Sequence, residues 1–130
     1  MRYEAYSRIR SFKYAFQGWW FVLQTQHNAW IHAVASVVVV PLALWLRVSR
    51  LELAVIFLAI TAVWVGEFLN TAIEAVVDMA SPEFHPLAKV AKDVAAAAVL
   101  LAAIAAVLIG LLILGPPLVW RLFGYQILWP

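Results

Sequence analysis

Gly66-Glu67-Phe68-Leu69-Asn70-Thr71-Ala72-Ile73-Glu74-Ala75-Val76-Val77-Asp78 places three carboxylates and an amide inside an otherwise apolar run. At about 100° per residue, Asn70, Glu74 and Asp78 fall roughly 60° behind, 20° behind and 20° ahead of Glu67 on a helix, so all four share one narrow stripe. The other faces carry Phe68, Leu69, Ile73, Ala75, Val76 and Val77, which suit lipid or neighbouring helices. A solvated edge of a short soluble helix is the ordinary explanation of such a stripe, but the residues before it argue otherwise. Leu53 to Gly66 reads LAVIFLAITAVWVG without one charge, so the stripe continues a segment long enough to enter a bilayer. An ionised side chain near a bilayer centre costs about 2.5–3.5 kcal/mol on insertion scales. A cluster of acids there predicts a compensating partner, such as a metal ion, and a functional site.

Composition agrees. Of 130 residues, 66% are hydrophobic and only 12% charged, and the mean hydropathy is +0.93, well outside soluble globular usage and suited to a single membrane domain over residues 1–130. A formal net charge of +2 with no basic run interleaved with aromatics excludes a nucleic-acid surface. The absence of cysteine excludes disulfides, thiolate metal sites and cysteine nucleophiles. The opening residues lack a cleavable signal pattern, so the mature chain is expected to begin near Met1.

Working outward from the stripe, the pattern predicts an all-α membrane protein with an amino-terminal amphipathic surface helix at about 4–26 and three transmembrane helices at about 29–46, 53–78 and 90–114. In the first of these helices, Ile9, Phe12, Phe16, Trp19, Trp20 and Leu23 recur on one side, as in a helix lying in the headgroup zone with its aromatic face inward. Pro41 falls inside the first span, where lipid tolerates it better than water does. Arg47-Val48-Ser49-Arg50 makes a tight polar turn. Ser81-Pro82 and His85-Pro86 break helical geometry, Lys92-Asp93 opens the third span, and Gly115-Pro116-Pro117 is expected to stop it. The tail, 118–130, with Trp120, Phe123, Tyr125 and Trp129, reads as an interfacial anchor. Arg2, Arg8, Arg10, Lys13, Lys89 and Lys92 lie on one side of the spans, and Arg47, Arg50 and Arg121 on the other. The positive-inside rule therefore puts the amino terminus, the polar end of the stripe and the 81–89 loop in the cytoplasm.

Carboxylates at the inner mouth of a three-span bundle, with Lys92 and Asp93 arriving from the next helix, suit a divalent cation and a polyphosphate. Magnesium takes hard oxygen ligands, often one or two carboxylates plus phosphate oxygens, so Glu74 with Asp78 or Asp93 is a candidate nucleotide-holding group. A carboxylate left free of metal can accept a proton from a substrate hydroxyl. Neither common phosphate-binding glycine motif is present, and His27, His32 and His85 make no zinc pattern. His85, beside Glu83 in the cytoplasmic loop, is the histidine placed for a nucleotide contact.

Glu67-Phe68-Leu69-Asn70-Thr71-Ala72-Ile73-Glu74-Ala75-Val76-Val77-Asp78, then Glu83-Phe84-His85, then Ala91-Lys92-Asp93 before an alanine-rich helix, resembles the small prokaryotic diacylglycerol kinase and undecaprenol kinase family from about Ser11 to Leu114. The resemblance implies a homotrimer in the bacterial cytoplasmic (inner) membrane that moves the γ-phosphate of ATP, with Mg2+, to the hydroxyl of diacylglycerol. It also implies roles. Glu67 would be the base and Asn70 its orienting neighbour. Glu74 would be a metal ligand, Asp78 a support for the site, and Tyr14, Glu83, His85, Lys92 and Asp93 nucleotide contacts. Position 26 is where the family usually places a second metal-binding glutamate; here it is Gln26, which brings an amide oxygen but no charge, so the expectation is weaker magnesium binding, a shifted metal preference or compensation by a nearby acid, with activity reduced or lost where nothing compensates. Undecaprenol kinase is the alternative within the class, since Ser11-Phe12-Lys13-Tyr14-Ala15-Phe16 and the Asn28, His32 pair resemble that branch. A non-catalytic membrane oligomer, or a cation or proton pathway using the same acids, is the alternative of another class.

Overall fold

Apolar runs of this length cannot leave backbone groups unpaired in hydrocarbon, and helix is the local solution. The computed structural model describes residues 3–124, and among these the chain forms four helices: α1 Tyr3–Thr25, α2 His27–Leu46, α3 Arg50–Ala80 and α4 Pro86–Phe123. The last three are long and apolar enough to cross a membrane. The end of the expected anchor, 125–130, and the side chain of Ile9 lie outside the described residues.

The turn between α2 and α3 is short because both of its ends are capped. The Val48 N–H bonds the Ala43 carbonyl at 3.2 Å and the Arg47 N–H bonds the Leu44 carbonyl at 3.1 Å, a Schellman closure with Arg47 in the left-handed region at φ 57°. A non-glycine residue there costs about 1–2 kcal/mol. Ser49 then opens α3 with a capping box: its Oγ accepts the Glu52 N–H at 3.2 Å, and its own N–H donates to Glu52 Oε2 at 2.6 Å.

Two expected boundaries move. Pro86 does not precede the third span but starts it, occupying the first helical turn, where its missing N–H is no loss. Lys92 and Asp93 therefore sit on the second turn. At the other end Gly115-Pro116-Pro117 does not stop the helix. The α4 helix runs through both prolines to Phe123, because proline already holds helical φ and an apolar setting favours continuing the helix over exposing backbone. The Arg121 guanidinium, 4.5 Å above the Trp45 ring, ties that extension to the end of α2.

The α1 helix meets the bundle along its Trp19–Val22–Leu23 edge: Val22 is buried and Leu23 half-buried, while Phe12, Phe16 and Trp20 are exposed on the protomer. Trp19 stacks on Trp64 of α3 at 4.7 Å between centroids and meets Phe68 at 5.0 Å, which fixes α1 across the stripe-bearing helix.

Packing gathers at the two ends of the bundle. One cluster joins Ala43, Leu46, Ile56 and Leu114 at the turn end, and the other joins Val22, Ala29 and Trp64 near α1. Between them α2, α3 and α4 line a partly open apolar cavity of about 490 Å3, bordered by His32, Val39, Ile60, Trp64, Val107 and Leu118 among others. The α3 and α4 helices touch at Gly66, where a Cβ would stand 3.5 Å from Val99 Cα.

That distance is ordinary van der Waals contact. Gly66→Ala is therefore expected to leave the melting temperature in detergent unchanged or to raise it, by up to about 1 kcal/mol of helix propensity. Gly66→Leu is expected to separate the helices and lower the melting temperature. A destabilised alanine variant would show that the contact is tighter than this geometry.

Candidate functional site

The α3 helix rises about 46 Å at 1.5 Å per residue, against a hydrocarbon thickness of about 30 Å. Counted from its capped start at Arg50, Glu67 lies about 25 Å along the axis and Asp78 about 42 Å. The stripe therefore crosses from the hydrocarbon edge into the aqueous zone. Exposure follows the same course. Glu67 is 1% exposed and Asn70 7%, Glu74 is intermediate, and the Asp78 side chain is 64% exposed. One helix face presents a dry acid, then an amide, then a half-wet acid, then a wet one.

At the dry end, Glu67 Oε1 lies 3.0 Å from His32 Nε2 of α2. The contact is within hydrogen-bond distance, but the ring N–H is not aimed at the oxygen, and Oε1 carries no hydrogen bond. Thr71, also buried, gives its hydroxyl to the Glu67 backbone carbonyl at 2.9 Å and so does not serve the carboxylate. His32 borders the apolar cavity, so the cavity ends where the ring meets Glu67. Ser36, one turn on from His32, donates to the His32 carbonyl at 2.7 Å and accepts the Trp64 indole N–H at 3.3 Å.

Two turns further along α3, Glu74 is held by two amides. Gln26 Nε2 donates to Oε2 at 3.1 Å, and Asn70 Nδ2 donates to Oε1 at 3.1 Å. Gln26 is the residue between α1 and α2, with extended backbone at φ −104°, and its side chain makes no cap bond, which leaves it free to reach α3. The Asn70 Oδ1 is buried without a hydrogen bond. No group of three His, Cys, Asp or Glu side chains with metal-binding geometry occurs among the described residues. One carboxylate with the oxygens of two amides is nevertheless a hard-oxygen set that fits magnesium when phosphate completes the shell, provided the Gln26 amide turns its oxygen toward the ion.

At the wet end Lys92 of α4 pairs with Asp78, while Asp93 pairs with Lys89 one turn earlier on its own helix. The structure thus brings together Glu67, Asn70, Glu74, Asp78, Lys92 and Gln26 along one seam. Glu83 and His85 stand in the α3–α4 connection. The Glu83 carbonyl accepts the Ser81 hydroxyl at 2.9 Å, and His85 Nδ1 caps α4 by accepting the Leu87 N–H at 3.2 Å. Tyr14 is 63% exposed on α1. No hydrogen bond or ion pair among the described residues joins these three to the carboxylate seam. Sequence reasoning missed His32 as the neighbour of Glu67. A titratable ring inside an apolar span was the available signal.

The chain matches the sequence profile of the family described as prokaryotic diacylglycerol kinase over residues 13–114. Three relatives illustrate the likeness. A diacylglycerol kinase of Synechocystis is 47% identical over 83% of this chain, and the match spans 62% of that protein's length. An undecaprenol kinase of Bacillus subtilis is 42% identical over 85% of this chain and 89% of its own length. The diacylglycerol kinase of Escherichia coli K12 is 38% identical over 74% of this chain and 80% of its own length.

The Lys92–Asp78 pair is largely exposed, and exposed pairs contribute little to stability. Asp78→Asn and Lys92→Met are each expected to change unfolding free energy by less than about 1 kcal/mol, read as melting in detergent. A larger loss would make the pair a structural tie between α3 and α4.

Proposed function

We propose, on the footing that this chain belongs to the prokaryotic diacylglycerol kinase family, that it transfers the γ-phosphoryl group of ATP to the hydroxyl of a membrane lipid, with diacylglycerol as the acceptor. The observation that carries this reading is Glu67. It is a fully buried carboxylate whose Oε1 has no hydrogen bond, beside the end of an apolar cavity. A buried carboxylate oxygen of this kind can accept a hydrogen bond from a hydroxyl brought in along the apolar cavity that His32 borders. A lipid supplies such a hydroxyl, with its tail in the cavity.

In this mechanism the hydroxyl gives its proton to Glu67 Oε1 as its oxygen bonds the γ-phosphorus and the bond to the ADP oxygen breaks. Asn70, fixed by its bond to Glu74, sits one turn from the base on the phosphate side. Glu74 and Gln26 would hold Mg2+, which when bound neutralises phosphate charge. Lys92 supplies a further positive charge at the wet end, and Asp78 keeps it there. Asp93, Glu83, His85 and Tyr14 belong to the nucleotide's surroundings. Catalysis then rests on positioning and charge compensation. The lysine and arginine bias supports a cytoplasmic site, and assembly as a homotrimer follows from the family resemblance. Undecaprenol is the second acceptor, favoured by the likeness to the Bacillus subtilis enzyme along nearly its whole length.

Transfer of radioactive phosphate from ATP to defined lipids in mixed micelles, with chromatography of the product, tests the reading. Phosphatidic acid is expected; undecaprenyl phosphate would move the chain to the second acceptor, and no labelled lipid would sink the proposal. Glu67→Gln is expected to lower turnover at least about 100-fold, the general-base contribution, while the protein stays folded, and retained activity would remove Glu67 from the role. Gln26 adds no charge to the cation site, so magnesium is expected to bind weakly. Gln26→Glu should lower the magnesium concentration needed for half-maximal turnover, and an unchanged dependence would take position 26 out of the site.

A further inference from the structure

Among the described residues, His32 is the one polar side chain recorded against the Glu67 carboxylate. Its ring is 16% exposed and the carboxylate 1%, so neither group has bulk water to satisfy it. The backbone beneath the ring is also secured. Ser36 donates to the His32 carbonyl and is itself held by the Trp64 indole, while Trp64 is stacked on Trp19 of α1. The imidazole is thus the end of a chain of contacts that runs from the surface helix through α3 to α2 and back to the acid on α3.

We infer that His32 is a positioning residue for the phosphoryl-transfer step: its Nε2 fixes the rotamer of Glu67, so that the carboxylate faces the end of the apolar cavity where the lipid hydroxyl arrives. This rests on the reading of Glu67 as the base. A carboxylate at the end of a three-bond side chain has several rotamers, and hydrophobic walls choose among them weakly. His32 Nε2, 3.0 Å from Oε1, is the polar group within reach, and catalytic contacts of this kind commonly reach full alignment only when substrate is bound. His32 also borders the cavity, so an apolar tail lying there would touch the ring that positions the base. A misplacement of about 1 Å in such a group costs on the order of 100-fold in rate.

Three variants separate positioning from packing. His32→Leu fills the space without a donor. His32→Gln sets an amide N–H near the place of Nε2, and His32→Asn sets one near the place of Nδ1, too short to reach. At saturating lipid and ATP, Leu and Asn are expected to lower kcat about 100-fold with little change in the KM for ATP, and Gln to recover much of the loss. Added imidazole is expected to rescue His32→Ala in part. Wild-type kcat in the leucine variant, or equal loss in Gln and Asn with both folded, overturns the inference. An infrared readout needs no turnover. The wild-type minus Glu67→Gln difference isolates the Glu67 carboxyl band, and that band is expected to move in a His32→Leu background. An unmoved band overturns the inference. If the wild-type protein phosphorylates no lipid while the band does move, the kinase reading fails and the His32–Glu67 contact stands.

Discussion

Removing the Glu67 carboxylate from water is the constraint that shapes this molecule. An acid that sits 1% exposed inside a bundle of apolar helices has lost its hydration, and a low-dielectric setting magnifies whatever polar contact replaces it. The replacement comes from α2. Along the antiparallel seam of α2 and α3, Ser36 meets Trp64, His32 meets Glu67, and Gln26 meets Glu74 in succession. Two of these are hydrogen bonds and the middle one brings a polar ring to the buried acid, so together they set the register of the two helices more strictly than interchangeable aliphatic contacts could.

The same seam orders the chemistry. Because α3 is longer than the hydrocarbon is thick, one face of one helix passes from dry to wet within three turns. An acid at the dry end can meet a hydroxyl delivered by an apolar molecule, and acids and a lysine at the wet end can meet a charged one. In the proposed reaction two substrates of opposite solubility would thereby be presented to one another without either leaving its own phase. The amide-held Glu74 lies between them, half exposed, where a charge can be neutralised with water still available to complete a cation's shell.

The helix count, the tight turn at 47–50 and the stripe itself were legible in the sequence, because hydrophobic run length and a 3.6-residue period are local properties. Helix ends were less so. Gly115-Pro116-Pro117 looks terminal by the rules of soluble proteins, yet in an apolar setting exposed backbone is worse than a missing bond, and α4 continues to Phe123. The aromatic side of α1 was legible by period, but that its Trp19 edge is the part that meets Trp64 and Phe68 was not.

What the sequence by itself determined is that carboxylates and an amide share a stripe at one end of a long apolar helix, with a basic residue close behind on the next. Periodicity and hydropathy suffice for that. Only the tertiary structure decided which groups answer them. That Gln26 reaches Glu74 across 48 positions, that His32 stands at Glu67 and that Lys92 takes Asp78 all depend on the crossing of separate helices. The crossing carries the Gly66–Val99 contact and the Trp19–Trp64–Phe68 stack, contacts between residues far apart in the chain that no local pattern encodes.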